Sequence, residues 1–140
     1  MKNQYDVVII GGGIAGLYAA LNLDTDTKVL VAAKKELNLC NSSLAQGGVA
    51  GVLDLQNDSF DLHIEDTMIA GQHQNRRQAV EVLVKEGPDD LRRLLDTDIA
   101  WDREENGELH MTLEGGHSRN RIIHRKDSTG DAIMVALVTR

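Results

Sequence analysis

A single cysteine, Cys40, among 140 residues leaves no internal disulfide, which suits a reducing compartment and a cytoplasmic location. A single proline leaves no proline-rich linker to divide the chain, and neither an internal repeat nor a low-complexity tract stands out. Positive charge is scarce: 15 Lys and Arg face 22 Asp and Glu, so the formal net charge of -7 offers no field for nucleic acid or anionic lipid, local clusters such as Arg76-Arg77 aside. Long apolar runs are also missing. The uncharged stretch 7–23 is interrupted by four glycines and lacks the basic start of a signal peptide and the roughly 20 apolar residues of a membrane helix. The length and an apolar content of 41% fit a single folded domain.

Residues 5–10, YDVVII, are continuously apolar after Asp6 and predict a central parallel strand covered on both faces. GGGIAG follows at once. Ile14, Leu17, Tyr18, Leu21 and Leu23 then place apolar groups mostly on one side of a helix, before a turn at 24–27. Residues 28–33, KVLVAA, read as a second strand, which completes a unit of βαβ size with the usual right-handed crossover. Residues 36–52 carry no period and are rich in Asn, Ser and Gly, as in a covering loop. A helix is expected from Asp58 to a stop at Gly71, and another over 76–86. Gly87-Pro88 is expected to end that helix and open the next, through Leu91, Leu94 and Leu95. Asn106-Gly107 predicts a two-residue hairpin turn between AWDRE and ELHMT. DAIMVALVTR (131–140) reads as a last helix.

Two parallel strands leave a doubly wound sheet with open edges and an uncovered face. The expected fold class is therefore α/β, a Rossmann-like domain incomplete at its C-terminus, and the chain is expected to be the N-terminal piece of a longer protein.

Gly11, Gly13 and Gly16 fit GxGxxG, interleaved with Gly12, Ile14 and Ala15. The first glycine permits the tight turn, the second lets backbone amides approach a pyrophosphate, and the third lets the helix pack on the strand. Phosphate oxygens then meet the positive end of the helix. An acidic residue normally binds the ribose about 20 positions on, but Ala33 and Lys34 stand there, which argues against an ordinary NAD site. Lys34 either lies near an adenosine or is a solvated strand end.

The glycine unit, followed by NSSLAQGGVA (41–50), HIEDTMIAG (63–71), LEGGHSRNRIIH (113–124) and DSTGD (127–131), resembles the L-aspartate oxidases. These belong to the fumarate reductase and succinate dehydrogenase flavoprotein superfamily. The resemblance spans essentially the whole chain, and AQGG and EGGHS are far more specific than the glycine fingerprint.

The resemblance implies FAD as cofactor, with Gly11, Gly12, Gly13, Ile14, Ala15, Gly16 and Lys34 around its pyrophosphate and adenosine. Asn41, Ser42, Ser43, Leu44, Ala45, Gln46, Gly47 and Gly48 are the implied contacts along the pyrophosphate and the ring. Where membrane-bound succinate dehydrogenases carry a flavin-linked histidine, this chain has Asn41, so FAD should be held noncovalently. Glu114 takes a position that is generally uncharged in the dehydrogenases, and the resemblance makes it the group facing the substrate ammonium. The implied activity is oxidation of L-aspartate to iminoaspartate with oxygen or fumarate as acceptor, in quinolinate and NAD synthesis. A contact with the next enzyme of that synthesis is compatible with it, and the arginines and histidines that bind the substrate carboxylates are expected beyond Arg140. The alternatives are a soluble fumarate reductase or succinate dehydrogenase flavoprotein, or a non-catalytic nucleotide-binding fragment.

No metal site is expected. His117, Arg121 and His124 lack ligand spacing and a nearby carboxylate pair and read as packing and hydrogen bonds within the flavin domain; His63, Glu65 and Asp66 do not share one helix face as ligands would and read as structural. Cys40, without a partner cysteine or a visible cause for a lowered pKa, reads as inert.

Overall fold

A computed structural model describes residues 4–37 and 39–140. The chain forms two compact units, Met1–Gly47 with Asp127–Arg140, and Gly48–Lys126. Among the described residues no helix is long and apolar enough to cross a membrane.

In the first unit, β1 (Val7–Ile10) and β2 (Val29–Ala32) pair in parallel, with Val7 opposite Val29 and Ile10 opposite Ala32. The helix α1 (Ile14–Leu21) connects them, so the strand, turn, helix, strand order read from the sequence is present. α4 (Thr129–Val138) packs on α1 and begins two residues before the expected start. Leu17 from α1 and Ile133, Met134 and Leu137 from α4 are buried. The expectation that the first strand is covered on both faces is not met within these residues. Val8, Ile10 and Leu30 are exposed, Ile10 at 89%, because a strand alternates its side chains and α1 covers only one face.

In the second unit, α2 (Phe60–Ala70) begins at Ser59, whose hydroxyl accepts from the Leu62 N–H at 3.2 Å, and it ends at Gly71. This is an N-cap that satisfies an otherwise unpaired amide. α3 runs unbroken from Arg77 to Leu95 with Pro88 inside it, which corrects the expected break at Gly87-Pro88. A proline costs a helix interior about 3 kcal/mol. Val80, Val84, Pro88 and Leu91 are nevertheless buried along one stripe, so the apolar face outweighs the local penalty. Ile64 and Met68 of α2 meet Val80 and Val84 of α3, with Phe60 against them.

β3 (Val49–Ala50), β5 (Ile122–Ile123) and β4 (Met111–Thr112) form an antiparallel sheet in that order. The 36–52 loop therefore carries a short strand near its end. The hairpin at Asn106-Gly107 exists, closed by the Arg103–Leu109 bridge, but its turn has three residues. Glu104 N–H donates to Glu108 O at 2.8 Å and Gly107 N–H to Glu104 O at 2.9 Å. Only Gly107 has positive φ, at 86°; the Asn106 side chain instead accepts from the Glu108 N–H, so a single left-handed residue suffices.

Candidate functional site

The glycine turn sits at the carboxyl end of β1. Gly11 has φ 123°, a conformation only glycine adopts freely. Gly16 has another reason: an added Cβ would lie 1.9 Å from the Gly11 carbonyl oxygen, so helix and turn touch backbone to backbone. Gly13 precedes α1 and offers no side-chain cap. Ser42, from the AQGG loop, supplies one: its hydroxyl accepts from the Ile14 N–H at 3.3 Å. The same loop is held by α4, because Gly130 N–H donates to Ala45 O at 3.0 Å and a Cβ at Gly130 would lie 2.0 Å from Ser42 O. The sequence thus brings Ile14, Ser42 with Ala45, and Gly130 together from three segments.

A cleft of about 410 Å³ opens beside this turn, lined by Gly11, Gly12 and Gly13, by the segment following β2 from Ala33 to Leu37, and by Leu39 and Cys40. It lies outside the carboxyl ends of two parallel strands, where ligands of open α/β sheets bind. Lys34 lies on its wall, and Ala15 is an exposed residue of the first helical turn.

Within the loop, Asn41, Leu44, Ala45, Gln46 and Gly47 are exposed, while Ser42 and Ser43 are half-buried. Gly47 has no atom within 4 Å of an added Cβ. Gly48 does not share that openness, since its Cβ would lie 2.3 Å from Ile122 Cγ2 and 2.5 Å from Ile123 O. The smallness of Gly48 is therefore explained by the neighbouring strand, and that of Gly47 by nothing in the chain itself. Cys40 is not featureless: the Ser43 backbone amide holds its thiol below the ordinary value against the opposing effect of burial. Its sulfur is 3.9 Å from Met134 Sδ.

The second unit carries the EGGHS turn. His117 N–H donates to Glu114 O at 3.1 Å, with Gly116 at φ 87°, and Leu113 to Gly116 are exposed. The Glu114 side chain faces solvent. Beneath the turn lies a cluster missed in the sequence. Arg121, 1% exposed, donates from Nε and Nη2 to the two oxygens of Asp58, each at 2.7 Å, and from Nη1 to Asp66 at 2.5 Å. Burial opposes both carboxylates, but the guanidinium and neighbouring amides hold each below its usual range; Asp58 in turn raises Arg121. Arg121 thus has the carboxylate pair that its local sequence lacks. His63, 8% exposed, is lowered to about 4 by burial, with nearby Arg121 and His117 adding to the effect. His124 belongs elsewhere: its Nδ1 pairs with Asp102 at 2.8 Å and its Nε2 meets His110 at 3.1 Å. Glu65 is exposed on α2. Among the described residues no group of three or more His, Cys, Asp or Glu is placed to hold a metal.

The FAD binding domain family matches residues 6–140. The chain belongs to this FAD binding domain family. It is 47% identical over 130 residues to an L-aspartate oxidase of Clostridium perfringens, covering 93% of this chain and 29% of that protein. An L-aspartate oxidase of Acinetobacter baylyi is 46% identical over 138 residues, covering 99% of this chain and 25% of that protein. Among solved structures, a quinol fumarate reductase of E. coli superposes with a TM-score of 0.91 at 27% identity, covering 98% of this chain and 24% of that one. The chain thus spans about a quarter of the length of these relatives. FAD is the cofactor of the family, and the first unit fits it: helix amides, an open cleft at the strand ends and an uncrowded Gly47 are in one unit.

Proposed function

We propose that this chain is the N-terminal part of a cytoplasmic flavoenzyme that oxidises L-aspartate to iminoaspartate, with oxygen or fumarate as acceptor. The product enters quinolinate and NAD synthesis. The observation that carries the reading is Glu114, an exposed carboxylate on a glycine-held turn, in a chain that matches L-aspartate oxidases at 47% and 46% identity. The first unit is read as part of a Rossmann-like domain in which a further layer, such as helices on the second face of the sheet, would cover Val8 and Ile10.

FAD, when bound, supplies the two-electron acceptor for oxidation at the substrate Cα. Gly11 to Gly16 direct backbone amides and the α1 N-terminus toward its pyrophosphate, with Lys34 near the adenosine. Asn41 to Gly47 would line the ring side, where Gln46 can both donate and accept. Asn41 has no nucleophilic ring nitrogen and leaves the flavin noncovalent. Glu114 orients the substrate ammonium and repels a plain dicarboxylate.

A soluble fumarate reductase or succinate dehydrogenase is the second reading, favoured by the structural superposition and opposed by Glu114. Glu114→Gln in the full-length enzyme decides between them: weaker use of L-aspartate with better tolerance of succinate supports the oxidase, and unchanged selectivity refutes the role of Glu114.

A further inference from the structure

One carboxylate of the buried cluster also holds the Glu114 turn. Asp66 Oδ2 accepts three donors: the Ser118 N–H at 2.8 Å, the Ser118 hydroxyl at 2.8 Å and Arg121 Nη1 at 2.5 Å. Two of these come from a residue four positions after Glu114. Arg121 Nη1 also lies 3.2 Å from His117 Nδ1. A guanidinium has only donors, so Nδ1 accepts and the ring proton sits on Nε2.

Residues 117 and 118 are thereby fixed to α2, while 113–116 remain exposed. The backbone bond from His117 N–H to Glu114 O carries that anchor into the turn. Arg121 cannot swing away, because Asp58 grips it in a fork from the other side. Asp58 alone would balance the buried guanidinium. The second carboxylate leaves the triad with one excess negative charge, and Asp66 directs it to the Ser118 donors. A carboxylate that must meet an ammonium in one geometry gains from such support.

We propose that Asp66, acting through Ser118, is a positioning residue that fixes where the Glu114 carboxylate stands and so sets selectivity for an ammonium-bearing substrate. This rests on the L-aspartate reading above.

The test uses the full-length flavoenzyme with Ser118→Ala, Asp66→Asn and Glu114→Gln, singly and with each of the first two combined with the third. L-Aspartate oxidation and fumarate reduction are measured separately, since fumarate has no amino group, together with flavin content and the unfolding midpoint. Ser118→Ala should raise KM for L-aspartate roughly three- to tenfold, the worth of one hydrogen bond, with a smaller change for fumarate and the wild-type midpoint. Asp66→Asn should raise it further. In the Glu114→Gln background Ser118→Ala should add nothing. Unchanged L-aspartate kinetics, equal effects on both substrates, or an effect that persists without the Glu114 charge would each overturn the proposal. If Asp66→Asn loses its flavin, Ser118→Ala decides alone. If Glu114→Gln itself leaves the aspartate-to-fumarate ratio unchanged, the role of Glu114 is refuted and the positioning role falls with it, whereas a wild-type enzyme that does not oxidise L-aspartate would overturn the L-aspartate reading itself; both results are distinct from failure of Ser118→Ala alone.

Discussion

Arg121 and Asp58, 63 residues apart in sequence, meet in a two-bonded fork with both N–O distances at 2.7 Å and the arginine 1% exposed. The pair ties the start of α2 to β5, and Asp66 completes it on the other side of the guanidinium. Removing the arginine would strand the buried Asp58 carboxylate and the half-buried Asp66 carboxylate. Arg121→Leu should therefore destabilise the fold by about 3–5 kcal/mol, read as a large fall in the unfolding midpoint. A midpoint within a degree or two of wild type would show that the cluster is not a structural keystone.

His63 makes the stability depend on acid. Its folded pKa of about 4 lies below its ordinary 6.5, so between those values the unfolded chain binds a proton that the folded chain refuses. Stability should fall as pH drops through that window, by up to about 3 kcal/mol. Asp58 and Asp66, whose folded pKa values are lowered, keep their contribution above their unfolded values and lose it only at lower pH. Denaturant midpoints at pH 7, 6 and 5 check this, and His63→Leu should flatten the slope. An equal slope in that variant would assign the effect to other groups.

Gly16 and Gly47 should respond oppositely to alanine. Gly16→Ala drives a Cβ against a backbone oxygen and should cost about 1–3 kcal/mol, with loss of flavin. Gly47→Ala meets nothing and should leave the flavin-free protein as stable as before while lowering flavin affinity about tenfold, about 1.4 kcal/mol. Flavin absorbance after purification and the midpoint of the flavin-free protein separate the two. Full affinity in Gly47→Ala would remove Gly47 from the cofactor contacts.

The contrast between Gly16 and Arg121 shows what was legible in the sequence. The turn at Gly11, the helix behind it and the stop at Gly71 depend on neighbours within a few residues, so spacing and residue type sufficed. Two-residue strands such as β3 and β5 are too short to display a period. Pro88 signals a break locally, and only the buried stripe from Val80 to Leu91 reverses that signal. The partners of Arg121 lie 55 and 63 residues away, a distance over which no local pattern carries information. Gly48 shows the same limit: its neighbour Ile122 comes from a strand more than 70 positions on.

The proposed oxidation of L-aspartate by the full-length flavoenzyme, with selectivity residing at Glu114, separates cleanly from succinate oxidation. Anaerobic mixing with L-aspartate or with succinate, followed at the oxidised-flavin absorbance at about 450 nm, distinguishes the two. Bleaching by L-aspartate and not by succinate is the predicted result, whereas bleaching by succinate alone would contradict the account and place the protein with the dehydrogenases.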